Sequence, residues 1–339
     1  MGPSSLLQVI SRLKHNLSLQ TTLPASRVQL LYREPGVESG YRPTGQSWFY
    51  YFLSVFQLNN ETVNIWSHLI AAVIFVLKFF VLIDTVDGSP NSWPFVAFAT
   101  CAVTYASLST LAHTFHSKSP HLHYFCFQLD YLGIGLSGIG SNILAIYTHC
   151  PDILYTNIKP YAFVSLPPLA WAYVTGCCMA KLKYRRPYPP QRKLIQLVSG
   201  AFSVLPVVTV ILYRLGTCMV DTNCSMDSLS HHLKWLYPFF LCLFFFSSHL
   251  PEKLYPGMFD IIGQGHQLFH VLVSIASVLQ HEAGHIDLMN ESMSHSKLDD
   301  RTMVGVMLMF GVYLFGCVVI IVLLKSTVIR RVQEDLKLE

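Results

Sequence analysis

Residues 266–285 read HQLFHVLVSIASVLQHEAGH, an apolar stretch with a His-x-x-x-His pair at each end, His266/His270 and His281/His285. Histidines four apart on a helix project from one face and can share a metal ion. The second pair, with Glu282 inside it, also fits the His-Glu-x-x-His pattern of zinc peptidases. Other groups capable of chemistry stand in apolar surroundings: Ser109 and His113 in SLSTLAHTFHSKS, Asp130 in HYFCFQLDYLGIG, and Glu61, Asn64 and His68 in NETVNIWSHL. Three imidazoles completed by a water or a carboxylate make the tetrahedral N/O set of a catalytic-type zinc site.

The elements that must position these residues are membrane helices. The 339 residues are 52% hydrophobic and only 12% charged, about half the charge of a typical soluble domain. Eight apolar blocks, at 62–83, 94–116, 123–147, 160–180, 194–213, 235–250, 261–283 and 303–325, reach or approach the roughly 20 residues that a spanning helix needs. The sixth is the shortest. The chain therefore reads as an all-α, polytopic helical bundle over 61–327, with an N-terminal segment 1–60 and a C-terminal tail 328–339. Arg12, Lys14, Arg27, Arg33 and Arg42 precede the first span, and the loop KLKYRRPYPPQRK follows the fourth. The positive-inside rule then places both termini in the cytoplasm. The net charge of +4 reflects that topology and carries no nucleic-acid function.

Topology converts sequence position into depth. His113 falls about one turn from the cytoplasmic end of the second span, and Asp130 about two turns into the third. His266 and His270 fall in the first turns of the seventh. Three spans thus deliver three histidines and an aspartate to one level, where ionisable residues are costly and mark a site. His116 is a competing ligand nearer the polar boundary. Ser109, one turn before His113, faces the same cavity. His281 lies 15 residues beyond His266, about 22 Å along a helix, which places it at the external surface. Gly284 reads as a helix terminator, and Leu288 and Glu291 stand where the extended peptidase motif has Gly and His. The second pair is accordingly read as solvated residues at headgroup level. Cys218 and Cys224 permit either a disulfide or two free thiols. Asn223 and Asn290 open glycosylation sequons in predicted external loops.

Ser109-x-x-x-His113, Leu129-Asp130-Tyr131, GHQLFH at 265–270 and NETVNIWSHL at 60–69 resemble the progestin and adipoQ receptor (PAQR) family, in its order and spacing from Gly40 to Ala283. GYRPTGQSWFYYFLSVFQ, SHLPEKLYPGMFDIIGQGHQLFH and the eighth block resemble its membrane progestin receptor branch. The resemblance implies a seven-helix core plus an eighth transmembrane helix. It also implies Zn2+ on His113, His266 and His270, with Asp130 contributing through a water and Ser109 beside it. A plasma-membrane steroid receptor signalling rapidly through heterotrimeric G proteins is the function it implies. Glu61, Asn64 and His68 match its first-helix motif and read as a hydrogen-bond network at the helix start. A second reading of the same residues is a zinc-dependent amidohydrolase acting on a lipid amide such as ceramide, with Asp130 and Ser109 as the catalytic pair. A transporter fits less well, because the polar residues gather at one level. The basic loop 181–193 reads as a topology signal or as a contact for anionic membrane lipids or acidic partners.

Overall fold

The computed structural model of the chain describes residues 19–85, 93–222, 224–289 and 300–337. Eight long helices carry these residues: α1 Thr62–Thr85, α2 Trp93–Phe115, α3 Pro120–Leu144, α4 Asp152–Lys183, α5 Pro190–Val220, α6 Ser230–Ser248, α7 Gly265–Met289 and α8 Asp300–Leu336. A π-helical turn, Ala145–His149, extends α3. Among the described residues the only β-pairing is one bridge, Leu23 with Tyr41. By length and apolarity α1, α2, α3, α5 and α8 can each cross a membrane. Helix α4 makes a sixth span if its two limbs, bent by 69° around residue 163, count as one. That break sits at the i−4 carbonyl position crowded by the Pro167 ring. The sequence led us to expect eight spans; α6 and α7 fall short because His231, His232, Lys234 and the α7 histidines and glutamines dilute their apolar character. The chain is a multi-pass helical membrane protein.

Helix α3 is the axis, with 72% of its apolar window buried inside the protein, against 22% for α8. It packs on α2, α4, α5 and α8. Its glycines permit this, since a Cβ on Gly135 would stand 2.5 Å from the Tyr313 hydroxyl, and one on Gly140 2.7 Å from Cys101 Cβ. Small residues are how apolar helices approach closely where no hydrophobic drive separates protein from lipid. The exposed side chains of α1, α5 and α8, among them Leu77, Leu212 and Phe315, form the lipid-facing wall.

The segment before α1 packs across one end of the bundle, hereafter its base. Buried Arg42 latches it there, donating to the carbonyls of His113 (2.5 Å) and Thr114 (2.7 Å) and to Ser54 Oγ and Ser117 Oγ. A guanidinium on the last carbonyls of α2 complements the negative end of that helix. Residues 328–336, which composition assigned to a tail, continue α8. Arg331 reaches back to Tyr124 and to the Tyr184 carbonyl. Cys218 and Cys224 form a disulfide. Asn223 and Asn290 lie outside the described residues.

Candidate metal centre

At the base, α2 brings His113 against the first turns of α7. The ring centroids of His113, His266 and His270 lie 4.6–5.3 Å apart. One ring nitrogen from each falls within a 4.8 Å set able to hold a metal ion. Helix α7 is held in that place by its start. Gly265 N–H donates to Glu252 Oε2 at 2.7 Å, and Gln267 Oε1 accepts from the N–H groups of Gly263 and Gln264. Burial raises the Glu252 carboxyl above its usual range, with the Gly265 N–H pulling against that rise.

The partners of the histidines settle which nitrogens are left. His113 Nδ1 lies 2.8 Å from Glu61 Oε2, so the N–H points at the carboxylate and the Nε2 lone pair faces the cluster. His113 Nε2 has no hydrogen-bond partner and is buried. His270 Nδ1 donates to the Asn64 carbonyl at 3.2 Å, which likewise frees Nε2. An imidazole whose second nitrogen is fixed by a carboxylate or a backbone carbonyl is the usual preparation of a metal-ligating histidine. Asp130 and Ser109 are both buried beside this set. Ser109 Oγ faces the carboxyl outside hydrogen-bonding geometry, and neither it nor Asp130 Oδ1 has a partner. The donor set suits Zn2+: nitrogen lone pairs converge, a carboxylate stands by, and the orphaned atoms are on this wall.

Glu61 and Asn64 form the hydrogen-bond network expected at the start of α1, without His68, and it reaches further than expected. Asn64 Nδ2 donates to Glu61 Oε2 at 2.7 Å. Glu61 Oε1 lies 3.2 Å from His116 Nε2, so His116 shares the orienting carboxylate and makes Glu61, His113 and His116 a second compact set. His68 stacks on His270, 3.8 Å between centroids and 6° from parallel, with both ring nitrogens unpartnered.

The second histidine pair requires a correction. Helix α7 does not end at Gly284 but runs to Met289. Gly284 instead serves packing, since a Cβ there would meet Leu144 at 3.0 Å and Phe95 at 3.1 Å. His281 is buried against Phe95 and Phe98, where solvent was expected. His281 and His285 belong to no metal-capable group among the described residues.

A third cluster, at the far end of the bundle, was not anticipated. Asp287, fully buried in the last turn of α7, accepts from Arg214 Nη1 at 2.5 Å and Nη2 at 3.2 Å. It also bonds His149 Nδ1 at 2.8 Å, His231 Nε2 at 2.9 Å and His232 Nε2 at 3.0 Å. His149, His232 and Asp287 are close enough for a metal, but the Arg214 guanidinium already holds the cation's place. The available sequence signal was an arginine directly after the fifth apolar block and an aspartate a turn past the seventh, each a charge at the edge of a span.

Comparison with known proteins agrees with this architecture. The chain is 36% identical over 265 residues to the human membrane progestin receptor beta, covering 77% of this chain and 75% of that protein. It is 35% identical over 274 residues to the zebrafish (Danio rerio) membrane progestin receptor alpha-B, with 79% and 77% covered. To human membrane progestin receptor alpha it is 32% identical over 289 residues, with 84% and 82% covered. Residues 56–281, which take in Glu61 and the His266/His270 pair, match the Haemolysin-III related family, and the chain belongs to that family, the PAQR family of the sequence motifs.

Proposed function

We propose that this protein is a plasma-membrane receptor for a progestin-like steroid. Zn2+ is held by His113, His266 and His270, both termini lie in the cytoplasm, and occupancy is relayed to a heterotrimeric G protein. The observation that carries the reading is the extent of likeness to proteins named membrane progestin receptors alpha and beta, over three quarters or more of the chain. The geometry supports the metal: His113 Nε2 and His270 Nε2 are freed by Glu61 and by the Asn64 carbonyl. The ion would tie α2 to α7 and supply Lewis acidity beside Asp130. A steroid needs an apolar body site with a few polar anchors, and His68 and Ser109 offer unpartnered atoms on that wall.

A second reading is favoured by one feature. Asp130 Oδ1 and Ser109 Oγ stand free side by side next to the histidines, as a lipid amidohydrolase requires. Asp130 would take the proton of the attacking water, and Ser109 would donate to the amide carbonyl oxygen. One purified preparation decides between them. Saturable binding of labelled progesterone with stoichiometric zinc is the receptor result, and its absence from zinc-loaded protein overturns that reading. Sphingosine release from ceramide, abolished by Asp130→Ala, is the hydrolase result.

A further inference from the structure

The base holds three basic side chains, two buried and one half-buried, that no described carboxylate pairs. Lys181 ends α4, and Arg192 and Lys193 lie in the first turn of α5. Lys181 and Arg192 are 5% and 7% exposed, Lys193 is half-buried, and none of them forms a salt bridge among the described residues. Their polar heads rest on aromatic faces instead. Lys181 Nζ lies 3.7 Å from the Phe127 centroid, Lys193 Nζ 3.7 Å from Phe246, and the Arg192 guanidinium 3.8 Å from Tyr188. Arg192 Nε is buried with no partner. Cation–aromatic contact offsets only part of the cost of an unpaired buried charge.

The three charges are linked through Arg192. Arg192 is within Coulombic reach of both Lys181 and Lys193. They also crowd the wrong end of a helix. Helix α5 starts after Pro189 with no side-chain cap and no acid in its first turn, so two cations are added to the positive pole where anions belong. The aromatic supports connect this cluster to the metal centre: Phe127 packs on His113, and Phe246 packs on Phe269, which stacks on His266. Helix α5 leans mainly on α4, and α6 on α7, so the cluster fronts a seam between the two pairs.

A neighbouring shallow groove, lined in part by Arg185, Arg186, Arg331 and Tyr188, shows the contrast. Its arginines are already paired, Arg186 with Glu34, Arg185 with Glu334 and Arg331 with Asp335. From these observations we infer that Lys181, Arg192 and Lys193 form an anion receptor at the base of the bundle for a phosphate monoester. Two acids are in reach, Glu34 and Asp130; Glu34 is taken up by Arg186, so Asp130 alone faces the three basic groups and leaves a surplus of two. A monoester carries about −1.5 to −2 at neutral pH and three acceptor oxygens, which matches that surplus with one donor group per oxygen. The chemistry is common to a lipid headgroup such as phosphatidic acid and to free phosphate. The inference does not depend on the steroid or hydrolase reading.

The test uses the full chain in phosphatidylcholine nanodiscs, with labelled phosphatidic acid in one arm and inorganic phosphate in the other. Saturable, one-to-one binding of the lipid identifies a headgroup site; binding of inorganic phosphate alone identifies a soluble ligand. In either case Lys181→Gln/Arg192→Gln/Lys193→Gln lowers affinity at least about tenfold, as loss of charge-assisted contacts does. Lys193→Gln alone, at the least buried of the three positions, loses part of it and reports even if the triple variant fails to fold. Lys183→Gln/Arg185→Gln, at exposed positions, binds as wild type. Binding of neither probe, undiminished binding by Lys193→Gln and the triple variant, or an equal loss from the exposed pair overturns the assignment.

Discussion

Helix α7 carries a histidine cluster at each end, and the two contain nearly the same side chains in opposite states. At the far end Asp287 gathers Arg214, His149, His231 and His232, and both carboxylate oxygens are fully engaged. At the base, His113, His266 and His270 converge near Asp130 and Ser109, yet His113 Nε2, Asp130 Oδ1 and Ser109 Oγ have no partner. The difference lies in the cation. Arg214 sits inside the far cluster and satisfies its carboxylate with protein atoms alone, leaving His149 Nε2 as an unpartnered atom there. At the base, Glu61 and the Asn64 carbonyl take the outer N–H groups of His113 and His270 and turn their lone pairs inward. One arrangement is a clasp and the other a candidate receptor for an ion, although a list of residue types would not separate them.

Breaking the clasp has the largest expected effect. Asp287→Ala strands a buried guanidinium among three imidazoles and lowers stability by about 3–5 kcal/mol, the cost of removing one partner of a buried pair. Thermal melting in detergent measures it. Asp287→Leu with Arg214→Leu recovers much of that loss, since replacing both charges by apolar side chains is often close to neutral. A wild-type melting temperature for Asp287→Ala would remove the distinction between the clusters.

On the zinc reading proposed above, the base is the end expected to respond to metal. Chelation lowers the melting temperature of the wild-type protein, and restored zinc at a hundredfold excess over Kd returns about 2.7 kcal/mol. His266→Ala/His270→Ala abolishes both responses and carries no stoichiometric zinc. Asp287→Leu/Arg214→Leu keeps them, because the far cluster was closed by Arg214 rather than by a metal and its loss leaves the base histidines in place. If chelator acted equally on both double variants, the metal would lie somewhere other than the base.

The base was legible in sequence for a reason particular to membrane helices. Topology fixes depth, so His113, Asp130 and the His266/His270 pair could be matched by level without any contact information. Glu61 was recognised but its reach was not, because a carboxylate at a helix start looks the same whether it caps its own turn or orients a histidine on α2. The clasp was invisible as a unit: Arg214, His149, Asp287 and the His231/His232 pair come from separate elements and share no spacing. Gly284 was misread because glycine ends helices in water, whereas between apolar helices it permits close packing. The eight helices themselves followed from apolar block length, but α4, α5 and α8 extend past their blocks into polar residues that hydropathy does not mark as helical.

Glu61 offers a finer test of the receptor side. Glu61→Gln keeps the shape and removes the charge that fixes the His113 tautomer, so zinc affinity falls about 10–100-fold. A competitive zinc titration reads this directly. His116 shares the carboxylate at 3.2 Å, and His116→Ala leaves zinc affinity within about threefold of wild type, less than 0.7 kcal/mol. A larger loss would move the ion into the set formed by Glu61, His113 and His116.

The smallest effect compares one hydroxyl from each end. Thr148 Oγ1 donates to the Leu144 carbonyl at 2.7 Å and lies 3.1 Å from His149 Nδ1. Ser109 Oγ, equally buried, has no partner. A made hydrogen bond contributes about 0.5–1.5 kcal/mol, and a buried hydroxyl without one contributes nothing but its desolvation cost. Thr148→Val therefore destabilises by about 1 kcal/mol, while Ser109→Ala leaves the melting temperature unchanged or slightly raised. Ligand binding reverses the order: Ser109→Ala weakens a ligand that uses the hydroxyl by about two- to tenfold, and Thr148→Val leaves its affinity alone. Equal destabilisation by the two substitutions would mean that Ser109 is bonded within the protein, and the base would then be as closed as the far end.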